Sequence, residues 1–67
     1  MTMVTVRIEY QHFQKSDKAY RFEIDNEIIW LPKGSVEISV NGKFQDLEMP
    51  KWLATQKGLE DYIVAEY

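Results

Sequence analysis

Apolar and polar residues alternate along much of this chain, which is the pattern of β-strands that bury one face. In the first such segment the apolar parity holds Val4, Val6 and Ile8, and the polar parity holds Thr5 and Arg7. The polar stretch that follows this segment is interpreted as a loop. The predicted strands, in chain order, are residues 4–10, 20–24, 27–31, 36–40 and 44–49.

Short turn sequences between these segments predict that successive strands pair as antiparallel hairpins. Asp25-Asn26 follows the second strand at once, and both residue types tolerate the left-handed backbone that tight hairpins require. Asn41-Gly42 is the strongest hairpin signal in the chain. Pro32 ends the third strand because it lacks the N–H that a ladder needs. The sequence therefore predicts a five-stranded antiparallel meander.

A short helix is predicted after the last strand, at about residues 50–57. Pro50 suits the first position of a helix, and Gly58 suits the position just beyond its end. Residues 59–67 fit either a continuation of this helix or an additional edge strand. A short twisted meander tends to close on itself, since closure removes exposed edges. We therefore expect one mainly β (α+β) domain over residues 1–67, curled into a small SH3-like or OB-like barrel.

The third strand is apolar on both parities, so both of its faces need cover. We expect Ile28 and Trp30 to join the core of the sheet. Ile29 and Leu31 would then lie on the other face, where the C-terminal helix can cover them with Trp52 and Leu59 on one face and Leu53 flanking. These two aliphatic residues form either a second small core under the helix or a patch left partly open for a partner.

Charge and hydropathy narrow the classes of partner. The 67 residues include eight basic and eleven acidic side chains, for a net charge of −3. Domains dedicated to duplex nucleic acid are usually clearly basic, so this balance slightly favours a protein partner. No segment approaches the roughly 18 apolar residues that span a bilayer, and residues 1–9 have no run of signal-peptide length. The sequence predicts a soluble, cytoplasmic protein without a membrane partner.

Catalytic and metal-binding chemistry finds little support in the composition. The chain has no cysteine, and His12 is its one histidine, so neither a thiolate site nor an ordinary zinc site is expected. The three glycines are isolated from one another, which excludes a Gly-rich phosphate loop. The serines have only His12 as a potential base, without a carboxylate placed to orient it. We therefore predict a non-enzymatic protein with no metal and no cofactor.

Two separated motifs resemble a pattern of short phage and prophage proteins. The first is IWLPK at residues 29–33, and the second is MPKWLATQKGL at residues 49–59. In that pattern, an aliphatic-Trp-aliphatic-Pro-Lys-Ser strand end precedes a β-hairpin, and Pro-x-Trp-Leu-Ala-x-x-Lys-Gly-Leu closes it. This chain departs by inserting Gly34 before Ser35 and by continuing beyond residue 59. The resemblance covers about residues 18–59 and implies a setting in a bacterial host. Small acidic phage proteins without catalytic residues include inhibitors of host defence complexes, such as anti-CRISPR proteins, and helpers of replication and recombination.

The leading functional hypothesis is a protein-binding module that occludes a basic surface of a host protein or protein–nucleic-acid complex. Acidic side chains on the polar parity would supply charge complementarity, and apolar or aromatic side chains would supply the buried contact. The candidate binding residues are Tyr20, Glu23, Asp25, Glu27, Ile29, Leu31 and Glu37.

The alternative hypothesis is an accessory protein that binds single-stranded nucleic acid. Aromatic rings beside basic side chains can stack bases while the cations contact phosphates. The candidate pairs are Tyr20 with Arg21, Trp30 with Lys33, and Lys43 with Phe44. The core parity of Tyr20 and Trp30 weighs against this hypothesis. A third hypothesis is a purely structural building block of an oligomer.

Overall fold

The computed structural model describes residues 2–67, which form seven strands, one α-helix and two short 3-10 turns. The strands are β1 (Met3–Glu9), β2 (Gln14–Lys15), β3 (Ala19–Ile24), β4 (Glu27–Pro32), β5 (Glu37–Asn41), β6 (Phe44–Pro50) and β7 (Ile63–Glu66). Helix α1 is Lys51–Gln56, and the 3-10 turns are Lys33–Ser35 and Glu60–Tyr62. The fold is mainly β, as the alternation predicts, but it has two more strands than predicted.

The strands form two antiparallel sheets, ordered β5-β6-β1-β7 and β2-β3-β4. In the larger sheet β1 is central and pairs with β6 from Met3↔Pro50 to Glu9↔Phe44. The break between the sheets falls after Pro32, where the turn Lys33–Ser35 separates β4 from β5. Since β4 and β5 do not pair, residues 2–67 form two open sheets in place of the predicted single five-stranded barrel.

The hairpins predicted from Asp25-Asn26 and Asn41-Gly42 are present, and the backbone explains their turn residues. The other two pairings of the predicted meander are wrong, because β1 does not pair with β3 and β4 does not pair with β5. Asp25 and Asn26 have φ of 54° and 65°, the pair of positive values that a type I′ turn requires. In the second hairpin Asn41 pairs with Phe44, so the turn is centred one residue later than the Asn-Gly pair suggests. Gly42 occupies its first central position with φ of 62°, as in type II′ turns.

The parity of β4 is opposite to the prediction. Ile29 and Leu31 are buried, whereas Ile28 is 54% exposed and Trp30 is 47% exposed. The register of the β3–β4 hairpin is the cause, because Phe22 lies directly opposite Ile29, and opposite residues point to the same face. Ile29 and Leu31 therefore join the core rather than a partly open patch, and Ile28 and Trp30 face outward.

The predicted cover of the core by α1 and Leu59 is present, except that Trp52 has no part in it. Leu53 and Ala54 are buried, while Trp52 is 55% exposed. The helix starts at the end of β6, where the Lys51 N–H donates to the Thr2 carbonyl at 2.9 Å. The prediction of a helix at about residues 50–57 is confirmed, but the covering role assigned to Trp52 is wrong.

The chain after α1 adopts the edge-strand alternative. A 3-10 turn at Glu60–Tyr62 leads into β7, which pairs with the first half of β1, opposite Val4, Thr5 and Val6. The core then forms from the inner faces of both sheets, α1 and Leu59. Its buried apolar members are Val4, Val6, Ile8, Phe22, Ile24, Ile29, Leu31, Val36, Leu47, Met49, Leu53, Ala54 and Leu59. Within residues 2–67 no helix has the length and apolarity needed to cross a membrane.

Candidate binding surface

Two glutamine side chains connect the sheets at one end of the molecule. Gln45 is 1% exposed, and its side-chain amide accepts from the Gln11 N–H at 3.2 Å and donates to the Gln11 carbonyl at 3.1 Å. The Gln11 side-chain amide in turn donates to the Glu23 carbonyl at 2.9 Å and accepts from the Glu23 N–H at 3.0 Å. Each side-chain amide thus makes the same pair of hydrogen bonds to a backbone N–H and C=O that a paired residue makes in a β-ladder. Together the two amides hold the loop after β1 between β6 and β3.

This connection positions one wall of an open cleft of about 570 Å³ between the ends of the two sheets. The cleft combines aromatic rings with carboxylates from four parts of the chain. We call it the acidic cleft and define it by Glu9, Tyr10, Glu23, Asp25, Phe44 and Tyr62. Tyr10 and Phe44 are among the exposed large apolar residues.

The carboxylates of the acidic cleft have no cationic partner within the described residues. Arg7 is the cation that lines the cleft, but its guanidinium is paired with Asp46 through contacts of 2.8 and 3.1 Å. The hydrogen bond from Arg7 lowers the pKa of Asp46 and raises the pKa of Arg7 itself. The other ion pair, Lys51 with Glu66, lies at the opposite end of β1. The cleft therefore presents a net negative charge.

A second group of carboxylates lies on the solvent side of the larger sheet. We call this group the outer acidic face and define it by Glu37, Asp46 and Glu48. Glu37 and Glu48 are directly opposite each other across β5 and β6. The Tyr67 hydroxyl donates to Glu48 at 2.8 Å, and this hydrogen bond raises the pKa of Tyr67. Two of the three carboxylates on this face thus already have partners within the chain.

The structure divides the sequence-predicted acids between different places. Glu23 and Asp25 line the acidic cleft. Glu27 is exposed beside them, as the first residue of β4, opposite Ile24. Glu37 belongs to the outer acidic face and is not brought to the cleft. Of the four predicted acids, two therefore lie in the acidic cleft, Glu27 lies next to it, and Glu37 lies on the outer acidic face.

The apolar members of the predicted set contribute to packing. Ile29 and Leu31 are buried in the core. Tyr20 is partly buried and packs edge-on against Phe13, with ring centroids 5.5 Å apart. The Lys33 ammonium lies 5.6 Å from the centroid of the Tyr20 ring. The Tyr20 ring thus has intramolecular neighbours on more than one side.

Sequence reasoning missed Tyr10, Tyr62 and the two glutamines of the cleft, and it named Phe44 only beside Lys43 as a candidate for nucleic-acid binding. Tyr10 directly follows β1 and Phe44 begins β6, and the Tyr10 N–H donates to the Lys43 carbonyl at 2.8 Å. Gln45 did leave a signal, since it stands on the same parity as Leu47 in the fifth predicted strand. A polar residue at a core position is usually hydrogen-bonded to a buried backbone group.

The described residues contain no cluster of three or more His, Cys, Asp or Glu side chains able to hold a metal ion. Comparison with known proteins gave no match to a family model, to a curated protein or to a solved structure.

Proposed function

We propose that this chain is a non-enzymatic binding module whose acidic cleft receives a basic side chain from the surface of a protein partner. The observation that carries this proposal is the convergence of Glu9, Glu23 and Asp25, none with an ion pair among residues 2–67, on the exposed rings of Tyr10 and Phe44. A Lys or Arg side chain fits both components, because carboxylates attract its charge and rings accept it through cation–π contact.

The interaction energies expected for one basic side chain in the cleft are small, so recognition of a partner requires several contacts together. A cation over an exposed ring gains about 0.5–1 kcal/mol, and an exposed ion pair gains about 0–1 kcal/mol. One such side chain would bind weakly on its own, so specificity requires additional contacts around the cleft. Charge complementarity at the rim acts mainly on the association rate.

The class of partner we propose is a nucleic-acid-handling protein or complex of a bacterial host. Surfaces that bind phosphate backbones concentrate Lys and Arg, which is the chemistry that the acidic cleft would accept. The resemblance to short phage proteins supports an inhibitory role of the anti-CRISPR kind, in which the module occupies such a surface and excludes the nucleic acid.

The proposal is tested by titrating the isotope-labelled protein with a lysine-rich peptide and following backbone amide shifts by NMR. Saturable shifts are expected around Tyr10, Asp25 and Phe44, and they should weaken as salt screens the attraction. A glutamate-rich peptide of equal length is the control and should leave the amides unchanged. Shifts centred on Glu37 and Glu48 instead would contradict the proposal.

A second candidate function is single-stranded nucleic-acid binding, favoured by one observation. Lys43 lies beside Tyr10, Phe44 and Glu9 around a smaller depression next to the acidic cleft. Bases could stack on the two rings while Lys43 contacts a phosphate. Neutralising Glu9 by Glu9→Gln separates the two candidates, because it should weaken binding of the lysine-rich peptide and strengthen binding of an oligonucleotide.

A further inference from the structure

The hydrogen-bond alternation in the β3–β4 hairpin determines which backbone groups of β4 face outward. Ile24 and Glu27 flank the two-residue turn, so they form the first hydrogen-bonded pair of the ladder. At the other end the Lys33 N–H donates to the Lys18 carbonyl at 2.9 Å, in phase with that first pair. The odd-numbered residues of β4 therefore direct their backbone N–H and C=O groups toward β3 and form the hydrogen bonds of the ladder.

The even-numbered residues Ile28 and Trp30 consequently direct their N–H and C=O groups away from β3. β4 is an edge strand with no neighbour on that side within residues 2–67. The hydrogen bonds formed outside the ladders include none to these groups among the described residues. The side chains of the same two residues are exposed. Free backbone groups and exposed apolar side chains thus coincide on one short edge.

The other three edges carry features that discourage pairing, and β4 lacks them. β2 has only two residues and ends in Lys15. β7 has an irregular register, and its Glu66 is held by Lys51. β5 begins with the charged Glu37, and its Ile38 is partly buried against the core, which leaves Val40 as its one exposed large apolar residue. Natural proteins protect sheet edges by shortness, irregularity and charge, so the uncharged segment of β4 stands out.

We propose that β4 pairs with β4 of a second copy of this chain, in antiparallel orientation about a two-fold axis at Ile29. Ile28 of each copy then lies opposite Trp30 of the other, and the two pairs exchange four backbone hydrogen bonds. The exposed Ile and Trp side chains contact each other across the new junction. Glu27 faces Leu31 of the second copy, so no like charges are opposed. The product is a continuous six-stranded sheet, and this surface adjoins the acidic cleft at Glu23, which lies opposite Ile28.

Neighbouring two-fold registers are less favourable, which is why the axis is assigned to Ile29. An axis at Trp30 places Ile28 opposite Pro32, which has no N–H to donate. An axis at Ile28 places Trp30 opposite Asn26, which lies in the turn with φ of 65°. Only the register centred on Ile29 uses both free residues of each copy in regular strand geometry.

The proposal is tested by sedimentation of the full chain over a concentration series that extends into the millimolar range. The parent should change reversibly from the mass of one chain to the mass of two. Ile28→Lys and Trp30→Lys should each weaken the association by about tenfold or more. Both positions are exposed, so both variants should keep the circular dichroism spectrum and unfolding curve of a folded protein.

Two control variants make the test specific for β4. Trp52→Lys replaces an equally exposed tryptophan on α1, and Val40→Lys replaces an exposed residue on the β5 edge. Both should dimerise as the parent does. In the dimer, a mixture of differently labelled chains should give an NOE between the Ile29 Hα atoms of the two copies. A parent that stays the mass of one chain throughout, or control variants that lose association as Ile28→Lys does, would overturn the proposal.

Discussion

The acidic cleft and the outer acidic face each contain three carboxylates, but they differ in what surrounds those carboxylates. On the outer face Asp46 is held by Arg7, and Glu48 accepts from the Tyr67 hydroxyl. In the cleft none of the three carboxylates has an ion pair within residues 2–67, and their neighbours are aromatic rings. The number of charges is therefore a poor guide to a binding site in this chain, and the neighbours of each charge are the better guide.

The two regions also differ in how the backbone supports them. The outer acidic face lies on regular ladder positions of β5 and β6. The cleft depends on side-chain amides, since Gln45 holds the Gln11 backbone and Gln11 holds the Glu23 backbone. A single substitution in these amides should therefore damage the cleft and leave the outer face in place.

Gln45→Leu should give the largest effect. It removes both partners of the Gln11 backbone, and an unpaired buried polar group costs about 1–3 kcal/mol. We expect the free energy of unfolding, measured in urea, to fall by about 2–3 kcal/mol, and affinity for the lysine-rich peptide to fall with it. The control is Gln56→Leu at the exposed end of α1, where a change within about 0.5 kcal/mol is expected. Equal stability of Gln45→Leu and the parent would show that the amide connection does not support the cleft.

Glu37→Gln should give a smaller effect of opposite sign. Glu37 lies opposite Glu48, and like charges directly opposite each other destabilise a sheet. Removing one charge should raise the free energy of unfolding by a few tenths of a kcal/mol, and the gain should shrink at high salt. Glu23→Gln is the matched change in the cleft region. Glu23 lies opposite Ile28 rather than another acid, so the free energy of unfolding of Glu23→Gln should not rise. Identical shifts for both variants would contradict the difference drawn between the two regions.

Local patterns in the sequence were sufficient for five of the seven strands and for the two hairpin turns. The alternation predicted β1, β3, β5 and β6, and the turn residues predicted both hairpins. The parity of β4 was also within reach. A two-residue turn at Asp25-Asn26 puts residue 24 opposite residue 27 and therefore Phe22 opposite Ile29. The prediction placed Ile28 and Trp30 in the core without using the hairpin register, and the register decides which face is buried.

The features that escaped prediction depend on contacts between distant parts of the chain. β1 pairs with β6 and β7, which lie at the other end of the sequence. The acidic cleft collects residues from β1, the β3–β4 turn, β6 and the second 3-10 turn. No short sequence motif predicts that residues from these separate segments lie together. Trp52 illustrates the same limit, since the path from β6 into α1 turns Leu53 and Ala54 toward the core instead.

The most direct test of the central claim compares two double variants that each remove two negative charges. Glu23→Gln with Asp25→Asn alters the acidic cleft, and asparagine tolerates the positive φ that Asp25 adopts. Glu37→Gln with Glu48→Gln alters the outer acidic face by the same charge. Affinity for the lysine-rich peptide is measured for both at low salt. We expect a loss of about tenfold, or 1.4 kcal/mol, for the cleft variant and a clearly smaller loss for the outer-face variant. Equal losses would mean that net charge alone attracts the peptide and that the cleft is not the binding site.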